Sequence, residues 1–412
     1  MAVFKPFRAL RPTADSVGLV ASRPYDVLNS KEAKEEAKGN ELSFLRVIKP
    51  EIGLPEGVDQ YSDEVYEYGV HMLGKLKSQG ILKKDSSPNF YIYRLTMGSH
   101  SQTGIVGCCH FQEYYKGIIK KHELTRPVKE NDRVRHVKSQ NANAEPVFFS
   151  YRRQHEIDAL VDKITNGIKA YDFVADDEIR HELWLVSNSE IINQIESSFQ
   201  RIPSLYVADG HHRTAAAARV GQERMNSNPN HSGEEEYNFF MTVLFPDNQL
   251  KIYDYNRVVR DLNGLTEEDF LEKLRGSFSI SPMEIGKKPV LKGNFTMYLA
   301  GKWYEMVSTN TSISNTTIGK LDVTYLSEKV LNEILGITDL RKDERIDFVG
   351  GIRGLKELKK RVDSGEMKAA FALFPVSMEE IISISDAGEI MPPKTTWFEP
   401  KLRSGLFIHD LE

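Results

Sequence analysis

The chain has 412 residues, 40% of them hydrophobic and 10% aromatic, with 54 Lys and Arg against 59 Asp and Glu for a formal net charge of −5. That composition supports a buried core and excludes a disordered or collagen-like chain, while the length predicts two domains. No apolar run approaches the ~18 residues that span a bilayer, and the slightly acidic balance argues against broad nucleic-acid binding. Met1 to Arg11 carries Lys5, Arg8 and Arg11 with no apolar stretch behind them, so it does not read as a signal peptide. Cys108 and Cys109 are adjacent and cannot staple the fold, which suits a reducing compartment. The expectation is a soluble cytoplasmic protein with no membrane partner.

In chain order, Pro6, Pro12 and Pro24 punctuate an extended N-terminal stretch. A helix is expected over Ser30–Lys38 with Ser30 as N-cap and Gly39 as stop, and a second over Gln60–Ser78 with Tyr61, Val65, Tyr68, Met72 and Leu73 at helical spacing. Asn89–Leu95 and Thr103–Phe111 read as a hairpin. Val147–Tyr151 and Glu182–Val186 read as strands around a helix near 156–170, followed by a short helix over 187–198. Ser204–Ala208 is a short strand that runs into a helix from about Thr214 to Gly221. Phe239–Phe245 and Lys251–Tyr255 are expected to close a hairpin around Pro246-Asp247-Asn248. Beyond Arg260 the texture changes to short strands alternating with helices, including one opened by Ser377 with Glu380 as its capping box. The reading is an α/β, more strictly α+β, chain with domains 1–260 and 261–412.

The sharpest feature is Ala208-Asp209-Gly210-His211-His212-Arg213-Thr214, where a strand feeds an Ala-rich helix. Helix N-termini carry unpaired N–H groups and the positive end of the macrodipole, and Arg adds a fork for phosphate. Gly210 lets a ligand approach the backbone. Asp209, Gly210, His211, His212, Arg213 and Thr214 therefore form a candidate phosphate cradle, the alternative being an Asp N-cap with two incidental histidines. Asp209 could cap the helix, hold a His tautomer or ligate Mg²⁺.

A second block, Lys120 to Arg133, clusters His122, Glu123, Arg126, Lys129, Glu130, Asp132 and Arg133. It reads either as a solvated helix face or as a substrate site, with Pro127 expected to interrupt a helix. If functional, Glu123, Glu130 and Asp132 are candidates for general base or metal ligand, and the cations for substrate phosphate or carboxylate. Pro24-Tyr25-Asp26, Asn256-Arg257 and Met391 to Phe398 are weaker candidates. No Gly-x₄-Gly-Lys-Ser/Thr, Gly-x-Gly-x-x-Gly, His-Glu-x-x-His or Gly-x-Ser-x-Gly occurs, so a nucleotide would sit in a less common cradle.

The Ala208–Arg213 stretch resembles the Gly-x-(Cys/His/Arg)-(His/Arg)-Arg loop of the ParB/sulfiredoxin fold. Together with Pro6-Phe7-Arg8-Ala9, Pro24-Tyr25-Asp26-Val27, Lys121 to Thr125, Lys129 to Arg133 and Pro392 to Thr396, it makes the chain resemble the domain of unknown function 1015 family almost end to end. That resemblance implies a ParB/sulfiredoxin-like mixed domain followed by a second α+β domain. Free-serine kinases share the fold, which implies a nucleotide-dependent kinase acting on a small hydroxylated metabolite with ATP or ADP and Mg²⁺. The loop would hold the phosphates, Asp209 would serve as a metal ligand, and Glu123 with His211 and His212 would be the catalytic groups. A nucleotide-switched regulatory protein is the alternative that the same fold implies. The sulfiredoxin-type cysteine is either replaced by His211 or absent here, so peroxiredoxin repair is not expected.

Overall fold

The computed structural model describes residues 2–310 and 312–412. The chain divides into two units, one of Met1–Lys121, Thr125–Leu250 and Pro400–Glu412, the other of His122–Leu124 and Lys251–Glu399. Both mix helices with sheets, an α+β organisation.

Among the described residues, the first unit is built on a nine-stranded mixed sheet. Its middle pairs Phe90–Met97 with His100–His110 in the expected hairpin, and His100–His110 continues antiparallel onto Phe239–Pro246. Phe239–Pro246 then runs parallel to Val147–Tyr151, which pairs antiparallel with Leu205–Asp209. Because Leu205–Asp209 also pairs parallel with Ile119–Lys120, it is an inner strand, and its apolar run Leu205 to Ala208 is buried. Inner strands covered on both faces read as continuous rather than alternating apolar runs. Phe90, Phe149, Trp184, Val207 and Phe240 share one core with these strands, each large buried side chain contributing about 1.5–3 kcal/mol.

Several local expectations change. Asn29, not Ser30, caps the helix Ser30–Glu36, exchanging hydrogen bonds with Glu32 in a capping box. Pro127 opens rather than interrupts a helix, Pro127–Gln140, because the first helical position needs no N–H. The Ala-rich helix begins at His211 and runs through Gly221 to Ser227. Gly221 is internal, and space requires a glycine there: a Cβ would lie 2.7 Å from the Phe111 ring. Phe239–Pro246 and Lys251–Tyr253 do not form a hairpin: Lys251–Tyr253 pairs with Trp397–Glu399 in the second unit. The Ser377–Glu380 capping box is present as expected.

The second unit centres on a six-stranded sheet among the described residues, ordered Phe278–Met283, Lys302–Ser308, Asn294–Leu299, Ala369–Ala372, Tyr255–Val259 and Ile346–Gly350. Helix Gly354–Asp363 packs Leu358 against Tyr298, Val349 and Ala370.

Candidate functional site

The strand Leu205–Asp209 leads into the site, and Gly210 turns the chain with φ +91°. That left-handed conformation favours glycine, and space demands it as well: a Cβ would lie 3.1 Å from Arg213 Nε and 3.2 Å from Cζ. Gly210, not Asp209, occupies the N-cap position, and no side chain caps the helix. The first-turn N–H groups have no intrahelical acceptor by construction. Ala216 packs with Val134 and Val220, which seats this helix on Pro127–Gln140.

Arg213 turns inward. It is 7% exposed, donates from Nη1 to Pro146 O at 2.6 Å, and places Nη2 3.7 Å from Asp26 and 3.6 Å from Asp209. Burial opposes its charge, but Asp26 and Asp209 outweigh burial and keep it cationic. Its Nε, beneath Gly210, is buried without a hydrogen-bond partner. Asp209 also faces Lys401 Nζ at 3.2 Å; burial pushes its carboxyl up, and Lys401 and Arg213 more than reverse this, so it stays ionised. His211 is 8% exposed, and burial pushes its imidazole down to about 3 against the pull of Asp209, so it is neutral at pH 7. His212 is half-buried, and its Nε2 accepts the Arg126 backbone N–H at 3.0 Å. A neutral His212 therefore carries its proton on Nδ1. Since Arg126 precedes Pro127, this bond draws two helix N-termini together, and their positive dipole ends reinforce each other beside the exposed Arg126 side chain.

Beneath the turn lies a buried ionic network. Arg133 donates to Asp132 at 2.7 Å and to Glu145 at 3.2 Å, and stacks 3.9 Å from the Tyr25 ring centre. Tyr66 donates to Asp132 at 2.8 Å, while Glu145 accepts from Tyr25 N–H at 3.3 Å and from the Ser404 hydroxyl at 3.2 Å. A space of about 30 Å³ lies between Arg133, Glu145 and Arg213 on one side and Ile48, Val147 and Phe240 on the other. His136 is held neutral there by burial, with Arg133 adding to the effect.

Residues 4–324, well over half of the chain, match the family model described as a protein of unknown function, DUF1015. The chain belongs to the DUF1015 family. No curated protein matches it. Among solved structures, this DUF1015 chain is similar to a conserved hypothetical protein from Pyrococcus furiosus at 16% identity and TM-score 0.37, over 74% of this chain and 96% of that one. It is similar to a free serine kinase in complex with AMP at 14% identity and TM-score 0.39, over 74% and 90% of the two chains. A third similar structure is SbnI with a C-terminal truncation from Staphylococcus aureus, at 12% identity and TM-score 0.40, over 74% and 87%. Among the described residues, no helix is long and apolar enough to cross a membrane.

The DUF1015 fold separates residues that the sequence groups together. Gly210, His211 and His212 do meet at the helix start, but Thr214 is fully buried and gives its hydroxyl to Gly210 O at 3.0 Å, so it serves the helix. Arg213 is likewise an internal cation, not a surface fork. Of the charged block, Asp132 and Arg133 are structural partners. Glu130 accepts from Thr125 at 2.6 Å and lies 3.7 Å from Arg219, and Lys129 donates to Tyr61 at 3.2 Å. His122 and Glu123 belong to the second unit, where buried His122 has Nε2 3.4 Å from Thr396 Oγ1 and its carbonyl accepts Met391 N–H at 2.8 Å. Among the described residues, no three His, Cys, Asp or Glu side chains converge as a metal centre. Lys401 and Glu145 were invisible as site residues, since neither lies in a motif; Asp26, in Pro24-Tyr25-Asp26, carried a weak signal.

Proposed function

We propose that the first unit binds a nucleotide by its phosphates at the Asp209–His212 turn, and that the chain is a nucleotide-dependent phosphotransferase for a small hydroxylated metabolite. One observation carries the reading: Arg213 Nε, buried and unpartnered, lies directly beneath a side-chain-free glycine at a helix N-terminus. A phosphate over Gly210 would meet the first-turn N–H groups, with Arg126 and His212 at its rim and Arg213 acting from below as a fixed charge. Neutral His211 adds hydrogen bonding rather than charge. The ParB/sulfiredoxin-like resemblance of the motif supports the same placement.

ATP or ADP, when bound, would supply the phosphoryl group, whose bond to the leaving phosphate oxygen breaks as the bond to the substrate hydroxyl oxygen forms. Such transfers depend mainly on positioning and charge neutralisation. The residues do not fit a resident Mg²⁺: Asp209 already balances Arg213 and Lys401, so no step is derived through a metal.

The test is calorimetric titration of the full chain with ATP and ADP, followed by turnover assays with amino acids and small alcohols. Combined Arg126→Ala and His212→Ala should weaken nucleotide binding at least ~10-fold, equivalent to about 1.4 kcal/mol. Unchanged affinity in the Arg126/His212 double variant would sink the loop assignment.

A further inference from the structure

The second unit buries a charge that has no counter-ion among the described residues. Arg257, on strand Tyr255–Val259, is 0% exposed; among the described residues its guanidinium donates to backbone carbonyls alone, and it lies 5.2 Å from the Phe348 ring centre. Nη1 reaches Lys394 O at 2.9 Å and also Tyr255 O, and Nη2 reaches Pro393 O at 3.1 Å. Nε is buried without a partner. Among the described residues no carboxylate pairs with this guanidinium, and burial pulls its pKa down to about 9 against a small opposing pull from Tyr255. The neighbouring acids are otherwise engaged: Asp254 pairs with Lys288 at 2.8 Å and accepts from Asn256 at 2.6 Å, while Glu399 accepts from Trp397 Nε1 at 2.8 Å. A buried ion without a counter-charge is costly, and proteins normally supply one.

The turn that Arg257 grips is itself in an uncommon conformation. Lys394 has φ +58°, disfavoured for a residue with a Cβ and readily adopted by glycine or asparagine. The turn is also cross-braced: Thr395 is buried and donates to Pro392 O at 2.6 Å, and Thr396 lies 3.4 Å from His122 Nε2. Lys394 Nζ sits 5.5 Å from the Tyr255 ring centre, so the unpaired guanidinium and the strained lysine share one small region. Strain held at a braced turn is a recurrent mark of a ligand site.

We propose that the Pro393–Thr396 turn is an anion-binding site of the second unit, taking a phosphate or carboxylate group on Lys394 and Thr396, with Arg257 as the positioning cation behind it. The ligand's charge supplies what the fold omits. This site does not depend on the nucleotide reading of the first unit.

The full chain, carrying Arg126→Ala and His212→Ala to silence the proposed first-unit loop, is titrated with inorganic phosphate and separately with citrate at constant ionic strength. One saturable site is expected, and the stronger of the two anions identifies the group. Lys394→Gln should weaken binding at least tenfold. Lys394→Gly should weaken it equally while raising the melting midpoint, because the turn is relieved as the cation is lost. Arg257→Lys should retain part of the binding that Arg257→Met abolishes. Absence of a saturable site for both anions, or binding that survives both Lys394 variants, overturns the proposal. Equal loss in the two Arg257 variants overturns the role given to Arg257. Failure of the wild-type protein to bind nucleotide would leave this titration unaffected, so the two readings fail separately.

Discussion

Arg213 of the first unit and Arg257 of the second are both buried, and the two are treated in opposite ways. Arg213 is flanked by Asp26 and Asp209, which hold it charged despite burial. Arg257 has three carbonyls and no acid, and burial lowers its pKa to about 9. A compensated cation can brace a turn indefinitely, whereas an uncompensated one leaves a positive potential that an incoming anion relieves. The same residue type thus supports a frame in one unit and readies a site in the other.

The largest effect that can break this contrast is the replacement of each arginine by methionine. Arg213→Met deprives Asp26 and Pro146 O of their partner and leaves Asp209 to Lys401, and should cost about 2–4 kcal/mol, less than a fully buried pair because Asp26 is partly exposed. Arg257→Met removes an unbalanced charge and strands only carbonyls, for about 1–3 kcal/mol. Urea unfolding of both variants checks the ranking, and equal losses would erase the distinction.

The next effect is a pH dependence at His211 of the first unit. His211 titrates at 6.5 when unfolded and at about 3 when folded, so between those values the unfolded chain binds more protons. Its contribution is complete above pH 6.5 and declines as pH falls toward 3, by at most about 1.4 kcal/mol per pH unit. His211→Gln should flatten that slope in chemical unfolding followed from pH 7 to pH 4. A slope identical to the wild type would show that the imidazole is not shielded from water.

The smallest effects come from the two left-handed positions. Gly210→Ala adds a Cβ at φ +91° against Arg213 and should cost about 1–2 kcal/mol, whereas Lys394→Gly relieves φ +58° and should gain roughly 0.5 kcal/mol. Thermal unfolding of the pair should move in opposite directions.

Much of this arrangement was legible along the chain, where local chemistry decides it. The run Leu205 to Ala208, the glycine after Asp209 and the alanines beyond placed a strand, a turn and a close-packed helix. The Ser377–Glu380 box placed another helix start correctly. What stayed hidden is non-local. Nothing in the order of residues shows that Arg213 faces Pro146, or that Asp132 and Arg133 turn inward while Arg126 stays at the surface. Pro127 misled because a proline that would end one helix equally well begins another, and only the preceding extended Arg126 distinguishes the two. The 120–133 block looked like one site because its charges are contiguous, yet His122 to Leu124 belong to the second unit.

Residues Pro400–Glu412 return to the first unit, where Leu10 and Ile408 exchange backbone hydrogen bonds of 2.9 Å and Lys401 meets Asp209. Translation therefore delivers Lys401 only after all of Lys251–Glu399, the bulk of the second unit, has been made. Until then Asp209 and Asp26 share Arg213 alone, so a nascent chain carries surplus negative charge at the place where a phosphate would settle. Synthesis itself would keep the turn unwelcoming to anions until the final segment docks.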